Sequence, residues 1–196
     1  MGEQAGFYVS STGPAGGEDV HAAVFPTSLG WMTCEWSGGR LVRNAFGFES
    51  ADAARASLTE TLTERLTQTT HAPAELRELV RRLTRFADSY DDDFLDVPLA
   101  LDEAAPFARR VLEACRRIPI GETLTYTELA RLAGSPGAAR AAGNTMARNR
   151  FPLVVPCHRV VGARGALGGY SAPSGLTMKR RLLAAEARTL NAVAVS

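Results

Sequence analysis

Between His21 and Phe48 turn residues cut the chain into short runs, and no other feature constrains the fold as strongly. His21-Ala22-Ala23-Val24-Phe25 is the first run. Thr27-Ser28-Leu29-Gly30 separates it from Trp31-Met32-Thr33-Cys34-Glu35-Trp36, and Ser37-Gly38-Gly39 separates that from Leu41-Val42-Arg43-Asn44-Ala45-Phe46. Short β-branched and aromatic runs joined by such turns predict an antiparallel meander. Beyond Phe48 the apolar period becomes helical. Ala54, Leu58, Leu62 and Leu66 predict a helix over 51–68. Pro73 opens another, with Leu76, Leu79, Val80, Leu83 and Phe86 on one face. The acidic run 91–93 reads as a solvated loop, because a metal site needs more oxygen ligands than the run offers. Phe94 to Leu101 reads as extended, with Pro98 favouring an edge or linker. The first eighteen residues, rich in Gly and Ser, read as a disordered tail.

Charge divides the chain in two. Residues 1–105 carry 8 Arg against 17 Asp and Glu, a balance of −9, whereas residues 106–196 carry 14 Lys and Arg against 4 Asp and Glu, a balance of +10. Opposite signs suggest two modules, and a basic one wants an anion, of which nucleic acid is the commonest large example. The competing reading is that the two halves neutralise each other across an interface. At 45% hydrophobic and 22% charged, 196 residues bury a real core and exclude disorder over most of the chain. No stretch approaches 18 apolar residues, and the first thirty carry no basic-then-apolar leader, so a soluble, cytoplasmic protein with no membrane partner is expected. The three cysteines, Cys34, Cys115 and Cys157, are widely spaced and form no CxxC, which argues against a disulfide framework or a cysteine zinc site.

The basic half opens near Pro106 with a helical stripe of Phe107, Val111, Leu112 and Cys115. After the Gly121 turn, Thr125 and Glu128 fit a capping box for a helix that runs to Gly134. Ser135-Pro136-Gly137 turns the chain into a third helix, Ala138–Ala147. Helix, short glycine turn and helix is helix-turn-helix grammar. The second helix of the pair is made of Ala138, Ala139, Ala141, Ala142 and Gly143 with Arg140 among them. It is either a tightly packed core helix with a surface arginine or, given the basic balance, a helix that faces DNA.

The sharpest segment is Phe151-Pro152-Leu153-Val154-Val155-Pro156-Cys157-His158-Arg159. Leu-Val-Val reads as a buried strand that Pro156 ends, which leaves Cys157 just past a rigid element. The thiolate is the reactive form of cysteine, and His158 and Arg159 are placed to favour it. Neighbouring residues point in different directions, so a bridging water suits the Cys157–His158 geometry better than a direct bond. A buried structural cysteine beside a surface histidine is the competing reading. Residues 176–186 read as a helix with Glu186 on its apolar face. That carboxylate either snorkels to solvent or finds a partner, and His158 is a candidate. The intervening loop, Val161 to Pro173, offers Tyr170 and Ser171 and suits closure over a flat aromatic ligand.

Pro156-Cys157-His158-Arg159-Val160 resembles the active-site signature of the O6-alkylguanine-DNA alkyltransferases, or methylated-DNA–protein-cysteine S-methyltransferases. The resemblance extends through Phe107, Val111, Ile118-Pro119, Gly121-Glu122-Thr123, Tyr126 and Leu129-Ala130. It continues through Ala138-Ala139-Arg140-Ala141, Gly143, Asn149, Gly169-Tyr170-Ser171, Leu182-Leu183 and Glu186. It covers residues 106–187 strongly and the N-terminal module loosely, through Leu29-Gly30 and Val97-Pro98-Leu99. It implies an α+β chain in three parts: the tail 1–18, an N-terminal module over 19–102 with a small antiparallel sheet and helices (RNase H-like), and a helical, winged helix-turn-helix-like DNA-binding module over 103–190.

It also implies roles. Cys157 would accept the alkyl group, His158 would act as a water-mediated base and Glu186 would orient it. Tyr126 would help rotate the nucleotide and donate a proton to the leaving guanine. Arg140 would fill the gap in the base stack, with Ala139, Ala141 and Gly143 along a narrow groove. Asn149 would tie the recognition helix to the active-site turn. Met146, Val160, Tyr170, Ser171 and Arg159 would contact the base. Leu112 stands where a Trp is frequent, and Arg150 where a Pro often follows the Asn. Cys34, His21 and His71 do not match the zinc ligands of some members, so neither metal nor cofactor is expected.

The activity implied is a single, irreversible transfer from O6-alkylguanine, and O4-alkylthymine, in double-stranded DNA by a monomer. A flipped base is required, because O6 is unreachable inside the stack. Two other classes compete. A lesion-binding protein would lack the acceptor that Cys157 provides. A cysteine hydrolase or thiol redox enzyme would need an oxyanion site or resolving cysteine that is not legible here.

Overall fold

The computed structural model describes residues 7–11, 19–58, 67–68 and 72–193. The chain falls into two compact units, Met1–Asp88 with Val97–Ala100 and Ser89–Asp96 with Leu101–Ser196. The segment before the expected boundary at 102 is therefore shared between them.

In the first unit β1 (Phe7–Ser11), β2 (Val20–Phe25), β3 (Trp31–Ser37), β4 (Arg40–Phe48) and β5 (Thr67–Gln68) form an antiparallel sheet in the order β4-β3-β2-β1-β5. The meander is β2 (Val20–Phe25), β3 (Trp31–Ser37) and β4 (Arg40–Phe48). Gly30 makes the β2–β3 turn possible: its φ is +96°, and a Cβ there would lie 2.9 Å from the Phe48 carbonyl oxygen. Strand β1 (Phe7–Ser11) pairs with β2, so this part of the expected tail is ordered structure. The expected helix 51–68 is also corrected. Helix α1 is Ala51–Ala56, and the Ser57 hydroxyl donates to the Ala54 carbonyl at 2.7 Å as it ends. Thr67–Gln68 is instead β5, paired with Ser10 and Val9; Leu62 and Leu66 lie outside the described residues. A β-branched residue with a strand edge to pair with outweighs an apolar period in its neighbours.

Ala54 and Leu58 pack on Ala22 and Val24. Ala23 and Phe25 line a groove with Val80 and Thr84 of α2 (Ala74–Ser89), whose buried face is Leu76, Leu79, Leu83 and Phe86. The Pro98 segment lies along the β4 edge, where Leu41 N–H donates to the Pro98 carbonyl and Ala100 N–H donates to the Leu41 carbonyl.

The second unit begins with the acidic run, which is not fully solvated. Asp92 is buried, and its carboxylate accepts from the Phe94 N–H at 3.0 Å. Helix α3 (Pro106–Arg116) follows, with Val111, Leu112 and Cys115 buried. Strand β6 (Leu124–Thr125) leads into α4 (Tyr126–Leu132) through the expected capping box. Thr125 Oγ1 accepts from the Glu128 N–H, and the Glu128 carboxylate accepts from the Thr125 N–H. A cap of this kind contributes about 1 kcal/mol. Helix α4 ends at Gly134, whose φ of +73° allows two terminal bonds: Gly134 N–H to Arg131 and Ser135 N–H to Ala130. Helix α5 (Ala139–Ala147) follows, with Ala142 and Met146 buried and Arg140 exposed. Strand β7 (Val160–Val161) pairs in parallel with β6, Leu124 opposite Val160 and Thr125 opposite Val161. Helix α6 (Gly175–Val193) completes the unit. No helix among the described residues is long and apolar enough to cross a membrane.

Candidate active site

The β6–β7 pair brings the reactive segment to the start of α4. Tyr126 follows Thr125 at the C-terminal end of this parallel ladder, the turn Cys157–Arg159 directly precedes its N-terminal end, and both Tyr126 and Cys157 line one pocket.

The segment before Cys157 is a tight turn rather than the expected strand. Leu153 has a φ of +71°, the Val155 N–H donates to the Phe151 carbonyl at 2.7 Å, and the Cys157 N–H donates to Val155 at 2.8 Å across Pro156. Pro156, with φ −77° and ψ 65°, is the centre of an inverse γ-turn. Prolines at 152 and 156 remove two ladder donors, and Asn149 supplies replacement bonds. Its amide donates to the Val155 carbonyl at 2.8 Å and its oxygen accepts from the Phe151 N–H at 3.0 Å. Asn149 thereby ties the end of α5 to the turn that carries Cys157.

His158 and Glu186 are both completely buried, and Nε2 lies 2.8 Å from Oε1. Arg159 binds the same carboxylate: Nε lies 3.0 Å from Oε2 and Nη2 lies 2.8 Å from Oε1, while Nη1 donates to the Ile118 carbonyl at 2.7 Å. The Gly121 N–H adds a further bond to Oε2 at 3.1 Å. Burial would raise the Glu186 pKa, but hydrogen bonds from His158 and Arg159 and the Arg159 charge hold it at about 2. Burial lowers the His158 pKa despite Glu186. We take the imidazole as neutral, because Arg159 already balances the carboxylate. An ionised carboxylate only accepts, so Nε2 carries the proton and Nδ1 presents a lone pair. Nδ1 is buried and has no partner within the described residues.

Cys157 is itself buried, and burial raises its thiol pKa; the Asn149 amide, the Lys179 ammonium and two turn N–H groups pull it part of the way back. It opens on a pocket of about 280 Å³ lined by Tyr126, Gly143, Met146, Ala147, Gly169, Tyr170 and Ser171. That volume suits one flat ring system, lying just below the roughly 300–1,000 Å³ of drug-sized ligand clefts. Burial and the Cys157 charge raise the pKa of both phenols, Tyr126 and Tyr170, so they stay protonated as donors.

Of the expected residues, Cys157, Tyr126, Gly143, Met146, Tyr170 and Ser171 meet at this pocket. Asn149, His158 and Glu186 stand behind it, and Arg140, Ala139 and Ala141 lie on α5. Arg159, expected against the base, is a correction: its guanidinium is enclosed with Glu186 and Ile118. Val160 is also fully buried, and its carbonyl accepts from Lys179 Nζ at 2.6 Å. Sequence reading missed Lys179, Gly121 and Gly168. Lys179 sits two helical turns from Glu186 on the same face, so a charge inside the apolar stripe was the available signal. Gly168 admits the Tyr126 hydroxyl, since a Cβ there would lie 2.9 Å from it. Among the described residues no group of three or more His, Cys, Asp or Glu could hold a metal ion; His71 lies outside them.

The model of the 6-O-methylguanine DNA methyltransferase DNA-binding domain matches residues 106–188. A methylated-DNA–protein-cysteine methyltransferase of Methanothermobacter thermautotrophicus is 40% identical over 118 residues, covering 60% of this chain and 65% of that one. Its namesake in Methanosarcina acetivorans is 44% identical, covering 57% of this chain and 72% of that one. The chain belongs to this family. Other curated methyltransferases are matched over as little as 47% of their length. The crystal structure of Mycobacterium tuberculosis OGT in complex with DNA is similar with a TM-score of 0.63 and 29% identity, covering 86% of this chain and 93% of that one. The methyltransferase likeness therefore spans both units in fold and is densest in sequence over the helix-turn-helix and Cys157.

Proposed function

We propose that this protein repairs alkylated double-stranded DNA by moving the alkyl group of O6-alkylguanine, and of O4-alkylthymine, onto its own Cys157 in a single irreversible event. The carrying observation is a thiol at the wall of a base-sized pocket, backed by a neutral imidazole whose far nitrogen is fixed by an ionised carboxylate. The names of the relatives and the DNA-bound neighbour support the same reading.

The chemistry follows from these groups. His158 Nδ1 takes the Cys157 proton through a water molecule, because adjacent residues do not face each other. The sulfur attacks the alkyl carbon; the S–C bond forms as the C–O6 bond breaks, and the electron pair leaves on guanine. Tyr126 delivers a proton to the departing base, and the proton on His158 restores the phenol through solvent. Glu186 orients the imidazole and stabilises its charged form. The thioether has no neighbouring group to hydrolyse it, so each molecule acts once.

Arg140 projects from a helix whose Ala139, Ala141 and Gly143 allow close backbone approach, and it fills the space of the flipped nucleotide. Met146 walls the base, and Tyr170 and Ser171 meet it near O6. Affinity for DNA falls with salt and depends weakly on sequence. The protein works as a monomer in the cytoplasm.

The test is intact mass after incubation with duplex DNA carrying O6-methylguanine. A gain of one CH2 that saturates at one per protein is expected. Tight lesion binding with no gain would favour a lesion-binding protein instead.

A further inference from the structure

Four charged or chargeable side chains are sealed around the reactive turn: His158, Arg159, Lys179 and Glu186. Arg159 and Glu186 neutralise each other through their bidentate pair. His158 is neutral. That leaves Lys179, completely buried, with an ammonium whose hydrogen bond runs to the uncharged Val160 carbonyl at 2.6 Å. A buried charge without an opposite charge is costly, and the Cys157 thiol is within reach of its field. The Val160 N–H donates to the Cys157 carbonyl, so two hydrogen bonds through Val160 link Lys179 to the residue that carries the sulfur.

We propose that Lys179 is the buried counter-cation of the Cys157 thiolate, a positioning residue that favours the reactive form of the sulfur without touching the base. This rests on the alkyl-transfer reading for its purpose, but not for its test. Lys179 also feels Cys115 of α3, and Cys157 feels the Asn149 amide and the turn N–H groups. Tyr170 and Tyr126 face the same sulfur as neutral phenols. Among these groups Lys179 supplies the cation that is not already matched by a carboxylate.

Charge and hydrogen bond separate cleanly. Lys179→Met removes both, while Lys179→Gln removes the charge and keeps an N–H donor for Val160. The readout is the rate of Cys157 carbamidomethylation by iodoacetamide without DNA, followed by peptide mapping from pH 6 to 10. Both variants are expected to react roughly tenfold more slowly than wild type at pH 7.5 and to converge with it at high pH, as the thiolate midpoint moves up. A Lys179→Gln variant with the wild-type rate and midpoint would overturn the proposal and make the lysine a structural donor.

The native protein offers a second measurement, which stands if the variants do not fold. Lys179 is the sole lysine in the chain, so 13Cε-lysine labelling reports on it directly. Its titration midpoint is expected to fall when Cys157 is S-methylated, because the thioether cannot carry the opposing charge. An unchanged midpoint would contradict the pairing. Neither measurement uses damaged DNA, so a failure here and a failure of the repair reading are distinguishable.

Discussion

Cys34 and Cys157 are both buried thiols, and their surroundings differ in the features that govern thiol reactivity. Cys34 lies in the middle of β3, with neighbouring strands on both sides and Glu35 beside it. Burial pushes its thiol far up, and the Glu35 charge pushes it further. Cys157 ends a proline turn at a pocket wall, where Asn149, Lys179 and turn N–H groups oppose the effect of burial. Burial alone therefore says nothing about reactivity. What distinguishes the second site is a cation, an amide, a base and an opening. Cys115 is a third case: fully buried in α3, its thiol is raised by burial and by the Cys157 charge despite Arg159 and Lys179.

The comparison breaks most sharply if the two thiols are exchanged as targets. Cys157→Ala should abolish methyl transfer while duplex binding persists, and Cys34→Ala should transfer at the wild-type rate; a labelled-methyl assay reads both. Removing the base comes next. His158→Phe should slow transfer by roughly 10²–10⁴-fold, the range for general base catalysis, measured in single-turnover kinetics. Asn149→Ala should destabilise the protein by about 1–3 kcal/mol in denaturant unfolding, because it strands the buried Val155 carbonyl and Phe151 N–H.

The smallest effect is a pH dependence. The His158 pKa is lowered in the fold, so the unfolded chain binds more protons below about pH 6.5, and stability falls as pH drops through that region. Glu186, held at about 2 against an ordinary 4.5, adds a second loss as pH falls from about 4.5 towards 2. Glu186→Gln should flatten that lower limb in acid titrations of thermal stability.

Much of this site was legible because its signals are local or periodic. The Thr125–Glu128 capping box is complete within four residues, and Glu186 falls on the apolar face of its helix by counting alone. The Leu153–Val155 strand misled because apolar content says buried, while the flanking prolines and the Asn149 side chain impose a turn. Thr67–Gln68 misled because its partner is Val9–Ser10, far away in sequence. Arg159 was expected against the base, yet its carboxylate partner, Glu186, is 27 residues on. Lys179 stood in plain view as a charge within the buried stripe of α6, but only its bond to Val160 gives it meaning.

The most direct test is a peptide map that follows all three cysteines as duplex DNA carrying O6-methylguanine is raised from below to above one equivalent. The predicted result is one CH2 on Cys157, none on Cys34 or Cys115, and guanine restored in strict proportion until the protein is exhausted. Repair that continues past one equivalent, or a methyl group on either other cysteine, would contradict the account.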